Sequence, residues 1–516
     1  MEQSSLVAST SIIVMLLAAS RVMGFIREQA FASVFGASSV TDAYVMAQFI
    51  TVFTFTAASA VVGSAFLPVY AAMRARGEQQ EAARFVRSVF VLTLGACAIV
   101  SALGMAFAPA LVRLFAPGFE ADTRQLASGL TAILFPAMAI ATLTTLTSAS
   151  LNAHGIFGLP AASPLLQNAL VIAAILLLAG RFSIWGVAAG TVVGALAGLA
   201  IHLPALRRTQ ISAERALDFT ADAVRTMLRL SWPILLTSVI GQVSAIVEKV
   251  LASGLDEGSL ASLNYASKIS TLPVTVIAGA ICTVMFPRLS ELHGTGDREG
   301  ISHALARSSV AVMAILMPAA VAFGSLSSPI VRVVYQRGAF GEVAVQTTAT
   351  ILVFYAWAVT FQALSMLFTR AFYAMHNSAV PLVVTGVGTV VTVVADVILV
   401  ESLGAGGLAL GPAISAVVGS AALLILLTTR HNIELLSRMI SPFLKIVAAC
   451  VVMRMVSVWM ISRLPVTDGG LLSAVRFFVT ACTGAGVYGL CIVLLGVLPM
   501  ADLLALGRRV VARSRE

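Results

Sequence analysis

The chain has 516 residues, of which 59% are hydrophobic and 11% charged, and its mean hydropathy is +0.98. Soluble domains carry about 25% charged and about 45–50% apolar residues, so this composition excludes a soluble globular protein. Its polar stretches are too short for an aqueous catalytic or nucleotide-binding domain, and no GxxxxGK[ST], HExxH or CxxC motif occurs. The sequence therefore predicts a polytopic membrane protein that is not an enzyme.

Hydropathy predicts an all-α fold. One transmembrane helix needs about 20 apolar residues, which leaves room for about fourteen helices with short connections. With glycine and proline at the turns, the predicted spans are 7–33, 39–70, 87–112, 126–150, 161–180, 184–206, 226–252, 259–286, 304–331, 344–370, 379–401, 406–429, 443–462 and 473–499.

The basic residues predict the orientation of these helices. An even number of helices places both termini on one side, where nineteen lysines and arginines fall, against seven on the other side. By the positive-inside rule that side is the cytoplasm, so we expect a multi-pass protein with both termini cytoplasmic. The net charge of +9 then reflects topology and contact with membrane lipid, and no nucleic-acid partner is expected.

Landmarks recur at a nearly constant spacing. Phe119 of APGF precedes Phe340 of RGAF by almost the same length of chain as Pro68 precedes Pro287. We infer two pseudo-symmetric six-helix lobes, 1–215 and 220–435, followed in 440–516 by two extra helices and a basic cytoplasmic tail. The spacing covers six helices, so the repeat is parallel, and transporters built this way bind substrate in a central cavity between the lobes.

A few cations lie at membrane depth, where a charge costs about 2.5–3.5 kcal/mol and normally faces a cavity or a partner. Arg21 and Arg27 are six residues apart on the first helix, with Gly24 between them, and Lys268 lies midway along the eighth helix. Arginines facing a cavity are suited to a phosphate or diphosphate, because the guanidinium fork binds such oxygens with two hydrogen bonds. The alternative is that Arg27 pairs with Asp42 or Glu28 while Arg21 extends toward the interface.

Two acidic residues lie at membrane depth in the second half. Glu248 and Asp396 are candidates for a coupling-ion site that drives transport by sodium, protons or the membrane potential. Alternatively, Glu248 neutralises its neighbour Lys249. Asp42, at the start of a helix, is also a candidate N-cap. No histidine has metal-ligand spacing, so neither a metal nor a cofactor is expected.

Several segments together resemble one family. In chain order they are SRVMGFIREQAFASVFGASSVTDAY (20–44), FAPGF (115–119), LNAHGIFGLPAASPLLQN (151–168), VVYQRGAF (333–340), AFYAMHNSAVP (371–381) and GAGGLALG (404–411). They resemble the MurJ (MviN) lipid II flippase family of the multidrug/oligosaccharidyl-lipid/polysaccharide exporter (MOP) superfamily. The resemblance implies fourteen helices and export of an undecaprenyl-diphosphate-linked precursor for peptidoglycan across the bacterial inner membrane. It also implies that Arg21, Arg27 and Asp42 match functional positions of the family. Together with Lys268, these are the candidate substrate-binding residues. The protein is expected to act as a monomer.

Two departures from the family pattern keep alternatives open. The family's arginine-bearing segment in the second helix is absent, since 48–64 carry no charge. The family's YADRL reads Tyr265-Ala266-Ser267-Lys268-Ile269, and lysine keeps the charge without the bidentate fork. The alternatives are a flippase for another lipid-linked oligosaccharide, for capsule, exopolysaccharide or O-antigen, and a cation-coupled multidrug antiporter of the same superfamily.

Overall fold

The structure, a computed structural model, describes residues 2–207, 217–219, 222–431 and 433–497. Throughout these residues the chain forms helices joined by short turns, without a β-strand, which confirms the predicted all-α class. Two π-helical segments, Val62–Phe66 and Val274–Ala278, each continue one α-helix into the next.

Contacts divide the chain into two compact units. The first extends to Ala261 and includes Gly338–Phe340, and the second contains Ser262–Arg337 and the described residues from Gly341 onward. The helices that begin in the first unit are α1 (Glu2–Phe35), α2 (Ser39–Val61), α3 (Leu67–Ala75), α4 (Gln79–Ala106), α5 (Ala108–Phe115), α6 (Ala121–Ala153), α7 (Gly158–Ala200), α8 (Leu203–Arg207), α9 (Asp222–Ile240), α10 (Val243–Ala252) and α11 (Ser259–Pro273). Those of the second unit are α12 (Gly279–Gly294), α13 (Arg298–Ser325), α14 (Ser327–Tyr335), α15 (Glu342–Ala374), α16 (Ala379–Leu403), α17 (Ala405–His431), α18 (Leu436–Arg463) and α19 (Leu471–Leu494).

The contact units differ from the lobes inferred from the repeat. Half of the predicted lobe border at 215–220 lies outside the described residues. So do Arg208 and Arg215, two of the nineteen basic residues assigned to the cytoplasmic side, and 498–516, which contains the predicted basic tail. Beyond that border, α9 packs on α2 and α4, and α10 packs on α5, all within the first unit. An internal repeat reflects common ancestry and not packing between helices. The contact units therefore do not test the lobe boundaries, which stay a prediction.

The number of membrane-crossing helices is close to the one predicted. Among the described residues, eleven helices are long and apolar enough to cross a membrane. One of them, Gly158–Arg207, contains two predicted spans, because Ser183 interrupts α7 with φ 50° and ψ −141°. Two other predicted spans correspond to α1, of 34 residues, and to α9 with α10, which a turn at 241–242 separates.

Left-handed backbone conformations recur at the spacing of the sequence repeat. Gly36 and Gly258, whose φ angles are 62° and 80°, are separated by nearly the same length of chain as the sequence landmarks. Three further pairs with positive φ have nearly the same separation, namely Gly77 and Gly296, Gly155 and His376, and Ser183 and Gly404. Positive φ is uncommon, especially outside glycine, so four such coincidences support an internal repeat of the turns.

Candidate functional site

The first helix presents Arg21 on an exposed face. α1 packs along α7 within the first unit, where the Asn168 side chain donates a hydrogen bond to the carbonyl of Ser20 at 3.4 Å. A Cβ atom on Gly24 would lie 3.7 Å from the same amide, an ordinary van der Waals distance, so the helix packing does not require glycine at this position. The Arg21 side chain is exposed and makes no hydrogen bond or ion pair with the described part of the chain. A guanidinium on an apolar helix requires water, a headgroup or an anion at that place.

Arg27 is partly buried and has an acidic partner on its own helix. Its guanidinium donates a hydrogen bond to Glu28 at 2.8 Å, which agrees with one of the two pairings left open by the sequence. Tyr44 of α2 lies within electrostatic range of Arg27, and its hydroxyl is 3.1 Å from that of Thr191. The Tyr44 ring also packs on Phe31, with 4.9 Å between the ring centroids. Arg27 therefore lies at a packed junction of α1, α2 and α7.

Asp42 caps a helix, but not its own. Its two carboxylate oxygens accept hydrogen bonds from the backbone N–H groups of Gly258 and Ala261, each at 2.7 Å. These are among the N-terminal donors of α11 that have no partner within that helix. The start of α2 is capped by Ser38, whose side chain accepts from the N–H of Thr41. The structure thus places Asp42 as a buried cap of α11, and its binding of substrate stays a prediction.

Glu257 completes a reciprocal arrangement. One of its carboxylate oxygens accepts a hydrogen bond from the backbone N–H of Ser39 at 2.8 Å, at the first residue of α2. This bond, with a second from the Ser39 side chain, lowers the pKa of Glu257. We call Asp42 and Glu257 together the reciprocal cap. The Asp42 carboxylate caps the start of α11, the helix that follows Glu257, and the Glu257 carboxylate caps the start of α2, the helix that contains Asp42.

Backbone groups approach very closely around the reciprocal cap. A Cβ atom on Gly258 would lie 2.5 Å from the carbonyl oxygen of Ala37, and one on Gly36 would lie equally close to that of Ala339. The N–H of Ala339 donates to the carbonyl of Ser33 at 2.8 Å, which explains why Gly338–Phe340 belongs to the first unit. Glycine with positive φ is thus required here by both conformation and space.

Lys268 lies in the second unit, on an exposed face of α11. Asn264 precedes it by four residues, and Thr271 and Thr275 follow it by three and seven, which makes a polar stripe along α11 and its π-helical continuation. A cation inside such a span normally faces a cavity or a partner. The geometry of the second unit thus leaves Lys268 accessible to a ligand.

The two candidate coupling-ion residues occur in different units and in different settings. Glu248 of α10 accepts a hydrogen bond from the ammonium of Lys249 at 2.8 Å. This agrees with the alternative drawn from the sequence, in which Glu248 neutralises its neighbour Lys249. Asp396 is fully buried in α16 against α17, where a Cβ atom on Gly411 would overlap one of its carboxylate oxygens. The hydroxyl of Thr392, one turn earlier, donates to the carbonyl of Gly388 at 3.0 Å. Asp396 therefore lies in a tight helix interface that contains other oxygen atoms.

A cavity of about 640 Å³, lined by both apolar and charged residues, lies elsewhere in the first unit, between α3, α4 and the start of α9. Its charged lining residues are Arg76, Glu78, Glu81, Arg84, Asp218 and Asp222. The residues that the structure describes contain no group of three or more His, Cys, Asp or Glu side chains able to bind a metal ion.

Sequence reasoning missed two residues of this region and left a third unused. Glu257 was not recognised as a cap, Tyr44 was read only as part of a motif, and Lys249 was considered only as a neighbour of Glu248. One signal was available, because Lys249 lies nine residues before Gly258, as Arg27 lies nine residues before Gly36.

Known proteins match most of this chain. The family model described as Lipid II flippase MurJ matches residues 31–477. The probable lipid II flippase MurJ of Rhizobium tropici is 28% identical over 424 residues, which cover 80% of this chain and 79% of that protein. The lipid II flippase MurJ of Burkholderia cenocepacia is 27% identical over 451 residues, covering 85% and 87%.

Solved structures have the same fold. A lipid II flippase MurJ in an inward closed conformation superposes with a TM-score of 0.78 at 24% identity, covering 93% of this chain and 97% of that one. An inward-facing multidrug resistance MATE family transporter of the MOP superfamily gives a TM-score of 0.69 at 18% identity, covering 83% and 99%. The fold is therefore that of the MOP transporters, in a multi-pass membrane protein. Since the family model covers most of its length, the chain belongs to the MurJ family.

Proposed function

We propose that this protein translocates lipid II, an undecaprenyl-diphosphate-linked precursor of peptidoglycan, across the bacterial inner membrane. Membership of the MurJ family and relatives named lipid II flippases support this function. The observation that carries it is the placement of Arg21 and Arg27 on one apolar helix, the first exposed and the second partly buried. Two guanidinium forks so placed are suited to diphosphate oxygens, which accept paired, charge-assisted hydrogen bonds.

Two further residues, Lys268 and Asp42, are the remaining candidates for substrate binding. Lys268, on the polar stripe of α11, supplies a further cation, and Asp42 orders the start of the same helix. That Lys268 and Asp42 act on the same diphosphate as Arg21 and Arg27 is a prediction of the sequence, supported by the accessibility of Lys268.

Transport proceeds by alternating access and includes no catalytic step. The protein acts as a monomer with both termini in the cytoplasm, which the excess of basic residues on that side supports. A ligand that binds two conformations equally shifts neither, so directional export needs differential binding or an ion gradient.

Asp396 and Glu248 are the proposed link to that gradient. A carboxylate buried in a membrane helix is normally retained for an ion or proton pathway, and Asp396 is fully buried. We expect Asp396→Asn to change the dependence of transport on sodium, proton or electrical gradients in proteoliposomes. Asp122→Asn, a control at an exposed position of α6, should leave it unchanged. Identical gradient dependence in the wild type and Asp396→Asn would argue against this coupling role.

The alternative substrates are less well supported. Relatives that cover most of the chain are named lipid II flippases, whereas the likeness to a multidrug transporter at 18% identity concerns the fold. An antiporter of cationic drugs also needs an acidic cavity, and the exposed cations of α1 and α11 oppose that charge.

The decisive experiment is complementation of a bacterial strain depleted of its essential lipid II flippase. We expect the wild-type chain to restore growth and Arg27→Ala to fail while remaining folded in the membrane. The control Arg113→Ala removes an exposed arginine at the end of α5 and should complement. Growth with Arg27→Ala equal to wild type would refute the diphosphate site, and failure of the wild type would favour another lipid-linked glycan.

A further inference from the structure

Two pairs of adjacent residues form ion pairs in the first unit. On α1 the guanidinium of Arg27 lies 2.8 Å from Glu28, and on α10 the ammonium of Lys249 lies 2.8 Å from Glu248. Their side chains are between 13% and 29% exposed, so neither pair is sealed off from water or a ligand.

The internal repeat makes these pairs equivalent. Arg27 and Lys249 are as far apart in sequence as the positive-φ glycines Gly36 and Gly258. Each cation lies nine residues before its glycine, so each occupies the same place relative to the turn that follows. The acidic partner follows the cation on α1 and precedes it on α10. The pairing of charges is therefore kept while the order of the two residues is exchanged.

Neither pair links one helix to another. Adjacent helical residues do not face each other, so an ion pair between them adds little to helix packing. Within the described ranges, the side-chain hydrogen bond of Lys249 is the one to Glu248 on the same helix. Lys249 is also within electrostatic range of Asp42, which places it near the reciprocal cap and near α2.

A cation that is paired with a carboxylate on its own helix can exchange that carboxylate for an anionic ligand. Leaving a partly buried charge without a partner is costly, and the local carboxylate avoids this cost while the site is empty. An incoming anion can replace that carboxylate, so the cation is never left unpaired, and the displaced carboxylate, which is partly exposed, is then hydrated. The same reasoning applies to Arg27 and Glu28.

We infer that Lys249 binds an anionic group of the translocated lipid, as the repeat counterpart of Arg27, with Glu248 as its counter-ion in the empty protein. This inference rests on the proposed function and adds a cation to the substrate site. The anion is a phosphate of the diphosphate or a carboxylate of the headgroup, since an ammonium binds either.

The test measures binding to the purified full-length chain in nanodiscs with two probes, undecaprenyl diphosphate and complete lipid II. We expect Lys249→Gln to weaken binding of lipid II about tenfold or more, because a charge-assisted hydrogen bond is lost. Weakening of both probes identifies the phosphate as its ligand, and weakening of lipid II alone identifies a headgroup carboxylate. Lys249→Arg, which keeps the charge, should bind both probes within about threefold of the wild type.

Controls separate a missing cation from a disturbed helix. Lys445→Gln removes a partly buried lysine of α18 and should bind like the wild type. The double variant Glu248→Gln/Lys249→Gln removes both charges and should remain as weak as Lys249→Gln. Wild-type binding by the double variant would overturn the inference, because the loss in the single variant would then come from the unpaired Glu248. Wild-type binding by Lys249→Gln, with Arg27→Gln impaired, would also overturn it. Failure of the wild type to bind either probe would instead refute the proposed function.

Discussion

Asp42 and Glu257 hold the beginnings of two helices reciprocally. The Asp42 carboxylate accepts the N–H groups of Gly258 and Ala261 at the start of α11, and the Glu257 carboxylate accepts the N–H of Ser39 at the start of α2. Helix N-termini carry partial positive charge, so both carboxylates lie where a negative charge is stabilising. The two acids thereby join segments of the first unit that are distant from each other in sequence.

Removal of the Asp42 carboxylate should destabilise the protein. Asp42→Ala leaves two buried N–H groups without acceptors, and we expect a loss of about 1–3 kcal/mol in the free energy of unfolding. Asp42→Asn keeps one accepting oxygen and should lose less. Denaturant unfolding of the purified protein in detergent measures both effects, with exposed Asp122→Asn as a control expected within about 0.5 kcal/mol of the wild type. Equal stability of Asp42→Ala and the wild type would contradict the cap.

Glu257 should make stability depend on pH. Its hydrogen bonds with Ser39 lower the pKa of its carboxyl below the ordinary value of 4.5. A carboxyl whose pKa is lowered by folding stabilises the folded state at pH values above its ordinary pKa. This contribution is lost as the pH falls through the pKa that the carboxyl has in the folded state. Between about pH 5 and about pH 3 we therefore expect the wild-type Tm to fall more steeply than that of Glu257→Gln.

The neighbouring residue provides the control for this pH dependence. Asp256 is exposed and its side chain does not bond Ser39, so Asp256→Asn should keep the steep wild-type slope. Parallel Tm curves for the wild type and Glu257→Gln would show that the bond to Ser39 does not contribute to stability.

The sequence predicted the helices better than their interruptions. Long apolar runs identify the spans, and the polar residues around Ser183 correctly separate two of them, although the structure joins them across a kink. The break at Phe107 between α4 and α5 was missed, despite the proline that follows at position 109. The π-helical segment Val62–Phe66 carries no sequence signal of its own, because such a segment depends on tertiary packing.

The charged residues of the site could be predicted because charges are rare and costly inside a membrane. Their hydrogen-bond partners could not be predicted. Asp42 is bonded to backbone groups 216 and 219 residues further along the chain, and any residue type supplies a backbone N–H. Adjacent pairs such as Glu248 and Lys249 were visible, but the sequence does not determine whether such neighbours bond to each other.

Gly258 should tolerate no side chain. Its φ of 80° strains any L-residue, and a Cβ atom would lie 2.5 Å from the carbonyl oxygen of Ala37. We expect Gly258→Ala to lower the free energy of unfolding by at least about 1–2 kcal/mol. Gly95→Ala, inside α4 with nothing within 4 Å of the added atom, should instead stabilise by about 0.5–1 kcal/mol. Equal effects of the two substitutions would show that the close approach to Ala37 is not rigid.

Arg332 should fix the loop between α18 and α19. Its guanidinium forms a fork with the carboxylate of Glu342 and also donates to the Gln336 side chain and the carbonyl of Thr467, both at 3.2 Å. Lysine keeps the charge but cannot make these planar contacts together, so Arg332→Lys should release the loop. We expect amide hydrogen exchange over 464–470 to accelerate about tenfold, which corresponds to about 1.4 kcal/mol of local stability. Arg337→Lys is the matched control, because among the described residues the Arg337 side chain bonds only carbonyls at the end of α14, the helix that precedes it. Exchange as slow in Arg332→Lys as in the control would show that other contacts hold the loop.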